Sequence, residues 1–114
     1  MEDALHARDE LVLFSDEFRT PVHVADATRS LLSLSKRSAT GIWNCGGQER
    51  MSRLQFGHTV AETLGYDQGV IRPALRSDFP ALPPRPADVS LNSTKLWRAI
   101  GEAPRTVQQA LRSE

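Results

Sequence analysis

Strand-like and helix-like periods alternate along this chain, and that alternation restricts it to an α/β fold. Leu11 to Phe14 is a short apolar run bounded by Ser15, Asp16 and Glu17, which predicts a strand. Thr20 to Val24 places Val22 and Val24 on one face and His23 on the other. This reads as a second strand entered through Pro21, whose missing N–H rules out an interior ladder position. Asp26 then stands where a helix N-cap belongs, with Ala27, Leu31 and Leu34 at helical spacing and Lys36 and Arg37 at the negative end of the dipole. Ile42 to Cys45 reads as a strand that ends in Gly46 and Gly47. Ser52 and Gln55 form a capping box ahead of the Phe56, Val60, Leu64 stripe, and Gly65 stops that helix. Val70 to Leu75 reads as a strand at an edge or bulge, because Pro73 interrupts it. Prolines 80, 83, 84 and 86 then predict an extended loop. Two short helices close the chain, one capped near Asn92 or Ser93, the other opened by Thr106. The order is ββαβαβ-loop-αα, one domain over residues 11–114 behind a frayed terminus at 1–10. Its core is expected around Ile42, Phe56, Val60, Leu64 and Ile71.

Charge and cysteine usage narrow the function classes. The 14 acidic and 14 basic groups cancel, yet the acids crowd the first 17 residues and leave the remainder basic. Most of the bases are arginine, whose planar fork suits phosphate or carboxylate. They are spread singly, without aromatic interleaving, so the footprint of nucleic-acid binding is missing. The one cysteine, Cys45, excludes disulfide scaffolds and four-cysteine zinc modules. His23, His58 and Cys45 lack the short spacing by which a helix or hairpin presents a metal pair, and no metal is expected. No run is long enough for a membrane span, and the acidic start is unlike a signal or transit peptide, so a cytoplasmic protein is expected. Gly46–Gly47 occupies the place of a phosphate loop between strand and helix, but without Gly-x-Gly-x-x-Gly spacing it reads as a structural turn. No serine lies in a nucleophile elbow. Trp43 and Trp97 are expected to anchor packing.

Three ordered segments carry a family resemblance. Phe18-Arg19-Thr20-Pro21-Val22-His23-Val24-Ala25-Asp26 is similar to the Arg-Asp-x-x-His-Val-x-Asp segment of extended short-chain dehydrogenases and sugar-nucleotide epimerases. Gly41-Ile42-Trp43-Asn44-Cys45-Gly46-Gly47 and the helix start Met51-Ser52-Arg53-Leu54-Gln55-Phe56-Gly57 match the branch containing dTDP-4-dehydrorhamnose reductase, the RmlD-like branch. Arg85-Pro86-Ala87-Asp88-Val89-Ser90-Leu91, with Ser93-Thr94-Lys95-Leu96, resembles that branch's Arg-Pro-x-Asp-x-x-Leu segment. The resemblance covers roughly residues 12–112.

In that family an N-terminal Rossmann half holds NAD(P), a Tyr-x-x-x-Lys pair does the acid–base work, and the C-terminal lobe binds the nucleotide sugar. The resemblance implies that this chain is the lobe without its Rossmann half: α/β, a small mixed sheet with helices. Tyr66 is followed four residues later by Val70, not lysine, so no catalytic residue carries over. No cofactor-binding residue carries over either, although NADPH or NADH is expected for the full-length family. Diphosphate contacts of related epimerases carry over onto Arg19 and Arg85. Their plain alternatives are an ion pair of Arg19 with Asp16 or Glu17, and a loop-bracing role for Arg85. Where the reductases have Pro-Thr this chain has Pro21-Val22, which leaves the sugar class open. A nucleotide sugar is the implied ligand. A Rossmann-domain chain, a second copy or a methionine adenosyltransferase-like enzyme are the implied protein partners, the last because the β subunit of that synthetase shares the His-Val-x-Asp and Arg-Pro segments and would make this chain regulatory.

Overall fold

The computed structural model describes residues 9–113. The frayed terminus expected at 1–10 falls almost wholly outside the described residues. β1 (Leu11–Phe14) and β4 (Ile71–Ala74) pair in parallel, Leu11 opposite Ile71 and Leu13 opposite Pro73. Proline is tolerated there because, among the described residues, this sheet has two strands, both of them edges. β2 (Phe18–Arg19) pairs antiparallel with β3 (Met51–Ser52). Phe18 is also flanked on its other side, where its N–H donates to Ala87 and its carbonyl accepts from Val89. Residues 17–19, 50–53 and 85–89, far apart in sequence, are thereby drawn into one neighbourhood.

Among the described residues there are four α-helices: α1 (Val24–Ser35), α2 (Arg53–Leu64), α3 (Thr94–Ile100) and α4 (Val107–Arg112). The expected capping box of α2 forms in both directions, with Ser52 Oγ accepting from the Gln55 N–H at 3.0 Å and Gln55 Oε1 accepting from the Ser52 N–H at 2.8 Å. Gly65 ends the helix at φ 79°, a left-handed position that a side chain would disfavour. Thr106 and Gln109 make a second capping box on α4. α2 lies on the β1–β4 sheet and packs against α4, while α1 packs against α3. Leu13, Val60, Ala61 and Ile71 form a buried cluster, with Phe56, Leu64 and Leu111 against it, and Leu96, Ile100, Val107 and Ala110 are also buried.

Three expectations need correction. The second strand is Phe18–Arg19, not Thr20 to Val24: the Thr20 carbonyl accepts from the Gly47 N–H at 3.0 Å, and the chain then turns into α1. Asp26 is not the cap of α1; His23 is, its Nδ1 accepting from the Ala25 N–H at 3.0 Å. Ile42 is not core. It is 88% exposed, and no ladder forms at residues 42–45 among the described residues. That segment is held instead by Lys95, which donates to the Ile42 carbonyl and stands 4.2 Å over the Trp43 ring.

Candidate functional site

β1 ends in a corner whose two acids both point inward. Asp16 accepts the Arg76 N–H at 3.0 Å. Glu17, with 0% of its side chain exposed, offers its carbonyl to the Arg53 N–H at the start of α2. The Glu17 carboxylate meets Arg19 Nη2 at 2.7 Å on one oxygen and Arg85 Nη2 at 3.0 Å on the other. The two arginines singled out by the family resemblance thus converge on a single buried acid. Arg19 keeps 37% of its side chain exposed and Arg85 48%, so the guanidiniums lie between the acid and solvent. The Arg19 contact is an aligned hydrogen bond, whereas Glu17 Oε2 has no aligned hydrogen-bond donor despite the nearby Arg85. The contact between Arg19 and Glu17 is among the plain alternatives the sequence offered; what the sequence did not offer is that Arg85 shares it.

Each arginine borders a different cleft. Arg19 lines a largely apolar one of about 330 Å³ with Pro21, Cys45, Met51, Phe56 and Leu91. Burial pushes the Cys45 thiol pKa up, so it stays protonated at neutral pH and is a packing group there. Arg85 lines a cleft of about 240 Å³ with Phe14, Arg76, Phe79 and the proline loop. Its guanidinium lies 5.7 Å from the Phe14 ring centre, and its carbonyl accepts from the Arg76 guanidinium. A third arginine, Arg50, stands 3.8 Å over the Phe18 ring and pairs with Asp88 at 2.9 Å. The Ser90 side chain and N–H, followed by Arg50, hold the Asp88 carboxyl down at about 2.

Gly46 and Gly47 are buried against the segment that follows Arg19. A Cβ on Gly47 would fall 1.8 Å from the Pro21 carbonyl oxygen, and one on Gly46 would fall 2.7 Å from Thr20 Oγ1. The double glycine therefore faces protein at van der Waals range and leaves no cradle in which its N–H groups could meet a dinucleotide pyrophosphate. This turn does not fit the pyrophosphate of NAD(P). His58 Nδ1 is engaged with Gln68 at 2.8 Å. Among the described residues no three metal-binding side chains cluster, and no helix is long and apolar enough to cross a membrane.

Asp26 forms a second buried acid between two arginines. With 0% exposure, it accepts from Arg29 at 2.5 Å and from Arg105 at 3.1 and 3.2 Å. Burial alone would raise its pKa, but hydrogen bonds from Arg105 and Arg29, with their charges, outweigh it and hold the carboxyl below its ordinary value.

A family model described as "RmlD substrate binding domain" matches residues 1–113. A dTDP-4-dehydrorhamnose reductase from Mycobacterium tuberculosis is 29% identical over 100 residues, which is 87% of this chain and 32% of the relative. The crystal structure of such a reductase from Clostridium acetobutylicum superimposes with a TM-score of 0.85 at 22% identity, covering 98% of this chain and 40% of that one. Another, from Bacillus anthracis in complex with NADP, gives a TM-score of 0.83 at 18% identity over 98% of this chain and 40% of that one. The chain spans about a third of the length of the curated relative.

Proposed function

The chain belongs to the RmlD substrate binding domain family, and from that premise we propose that it is the nucleotide-sugar-binding part of a reductase of the dTDP-4-dehydrorhamnose type. The observation that carries this reading is the convergence of Arg19 and Arg85 on Glu17, with 37% and 48% of their side chains still exposed. Two planar cations held side by side match the charge of a diphosphate and can donate to several of its oxygens at once. The apolar cleft beside Arg19, walled by Met51, Phe56 and Leu91, is suited to the less polar portion of a nucleotide sugar. Hydride chemistry belongs to a nicotinamide cofactor. Neither a dinucleotide loop nor a Tyr-x-x-x-Lys pair occurs in this sequence, so the chain's own contribution is to bind and orient the sugar nucleotide, and the cofactor is supplied by a Rossmann half or by another chain.

Calorimetric titration of dTDP and UDP into the purified chain tests this reading. Binding is expected, and Arg85→Ala should weaken it about tenfold or more, because charge-assisted hydrogen bonds contribute roughly 1.5–3 kcal/mol each. No binding of either nucleotide, or an unchanged dissociation constant for both Arg19→Ala and Arg85→Ala, would reject it. In the same preparation, NADPH with a 4-keto sugar nucleotide should give no turnover.

A further inference from the structure

Resting on that reading, we infer that Glu17 is the positioning residue that makes one two-armed grip out of Arg19 and Arg85. Burying a carboxylate is costly, and where stability is the end served, such groups have their lone pairs satisfied. Glu17 does not follow that pattern. Each arginine reaches it through a single terminal nitrogen, and Oε2 lacks an aligned donor although it is fully buried. A guanidinium has five N–H donors, so most of those on Arg19 and Arg85 are left unused by the acid.

The carboxylate lies beneath and the guanidiniums lie toward solvent, which means that an approaching anion meets the cations first. Without the acid that both contact, the two like charges would repel and splay toward their separate clefts. The corner that carries Glu17 is itself fixed, through Asp16 to the Arg76 N–H and through the Glu17 carbonyl to the Arg53 N–H. Arg85 is steadied from behind by Arg76 on its carbonyl. Glu17 therefore sets the spacing of the two arms. The aligned Arg19 bond makes that arm the fixed one, and the unaligned Arg85 contact leaves the second able to turn onto a ligand.

Glu17→Gln keeps the shape but turns an amide N–H₂ toward one guanidinium, donor against donor. Inorganic pyrophosphate is the probe, titrated into the full chain. The substitution should weaken pyrophosphate binding about tenfold, the effect of losing one charge-assisted arm. In an Arg19→Ala/Arg85→Ala background it should change the residual affinity less than about twofold, since coupled residues lose their effect once the partner is gone. Unchanged or tighter binding by Glu17→Gln, or equal weakening in the arginine-free background, would overturn the inference. A second readout uses the unsubstituted chain, in case the variant does not fold. The Nη resonances of Arg19 should be resolved in cooled ¹⁵N spectra, unlike those of the exposed Arg98, and averaging of the Arg19 resonances would also overturn it. Pyrophosphate binding that depends on Glu17, in a chain that ignores dTDP and UDP, would reject the nucleotide reading and keep this one. A chain that binds no pyrophosphate would reject both.

Discussion

Two buried acids, each between two arginines, sit at different places in this chain, and their differences separate architecture from recognition. Asp26 lies in the first turn of α1, and both its oxygens accept hydrogen bonds, from Arg29 one turn on and from Arg105 ahead of α4. Arg29 continues to Glu102 at 3.2 Å, so this cluster ties α1 to the segment between α3 and α4. Glu17 also holds two arginines, but it leaves one oxygen without an aligned donor, and its partners open into two clefts. A satisfied acid with cross-linking partners stabilises a fold. An under-satisfied acid with half-exposed partners holds cations ready for something else.

The largest effect should come from breaking the first cluster. Asp26→Ala removes hydrogen bonds to two arginines, Arg105 with about a third of its side chain exposed and Arg29 with about half, and at roughly 1.5–3 kcal/mol for each charged partner lost the cost is about 3 kcal/mol or more. For a chain of this size that is a fall in melting temperature of more than about 12 °C, read by calorimetry or circular dichroism. Arg85→Ala, removing a half-exposed partner of Glu17, should move the melt far less while weakening nucleotide binding. A larger melt shift for Arg85→Ala than for Asp26→Ala would invert the comparison.

Gly47→Ala probes the link between the clusters. The new methyl group meets the Pro21 carbonyl, which is backbone and cannot swing aside, and overpacking of this kind costs roughly 1–3 kcal/mol. Because residues 20–23 join Arg19 to the cap of α1, stability and dTDP affinity should fall together. A variant that loses only one of them would show that the two clusters are mechanically separate.

The smallest effect is on acid stability. The folded-state pKa values of Asp88, at about 2, and of Asp26 lie below the usual 3.8. The unfolded chain therefore takes up protons first as pH falls through about 4, and the stabilisation these groups give is present above that point and lost toward pH 2. Their contribution to the melt should be flat between pH 5 and 7 and decline below about pH 4. Asp88→Asn should shallow that decline slightly, since Asp88 is solvent-exposed and its pair with Arg50 is screened. An unchanged acid slope in both Asp88→Asn and Asp26→Asn would contradict the assignment.

Much of the architecture was legible because it is written in local signals. Ser52 with Gln55, Thr106 at the start of the last helix, Gly65 and Pro73 each act through bonds or backbone angles within a few residues. The misreadings arose where distant segments decide. Ile42 has strand propensity, but a strand needs a neighbouring edge, and the described residues give it Lys95 instead. Asp26 has the chemistry of a cap, yet the His23 imidazole takes that role and frees Asp26 to meet Arg105, 79 residues away. Glu17 was missed as a candidate site residue for the same reason. Beside Asp16 it reads as part of a solvated acidic cluster, and only the pairing of Phe18 with both β3 and the segment at residues 87–89 brings Arg85 to it. Arg19 and Arg85 were singled out as candidates by their similarity to a family motif, not by any periodicity.

The most direct test is the crystal structure of the chain grown with dTDP. The account predicts diphosphate oxygens within about 2.7–3.2 Å of the Arg19 and Arg85 guanidiniums, with Glu17 still beneath both. A nucleotide bound elsewhere, or one whose phosphates face away from both arginines, would contradict it.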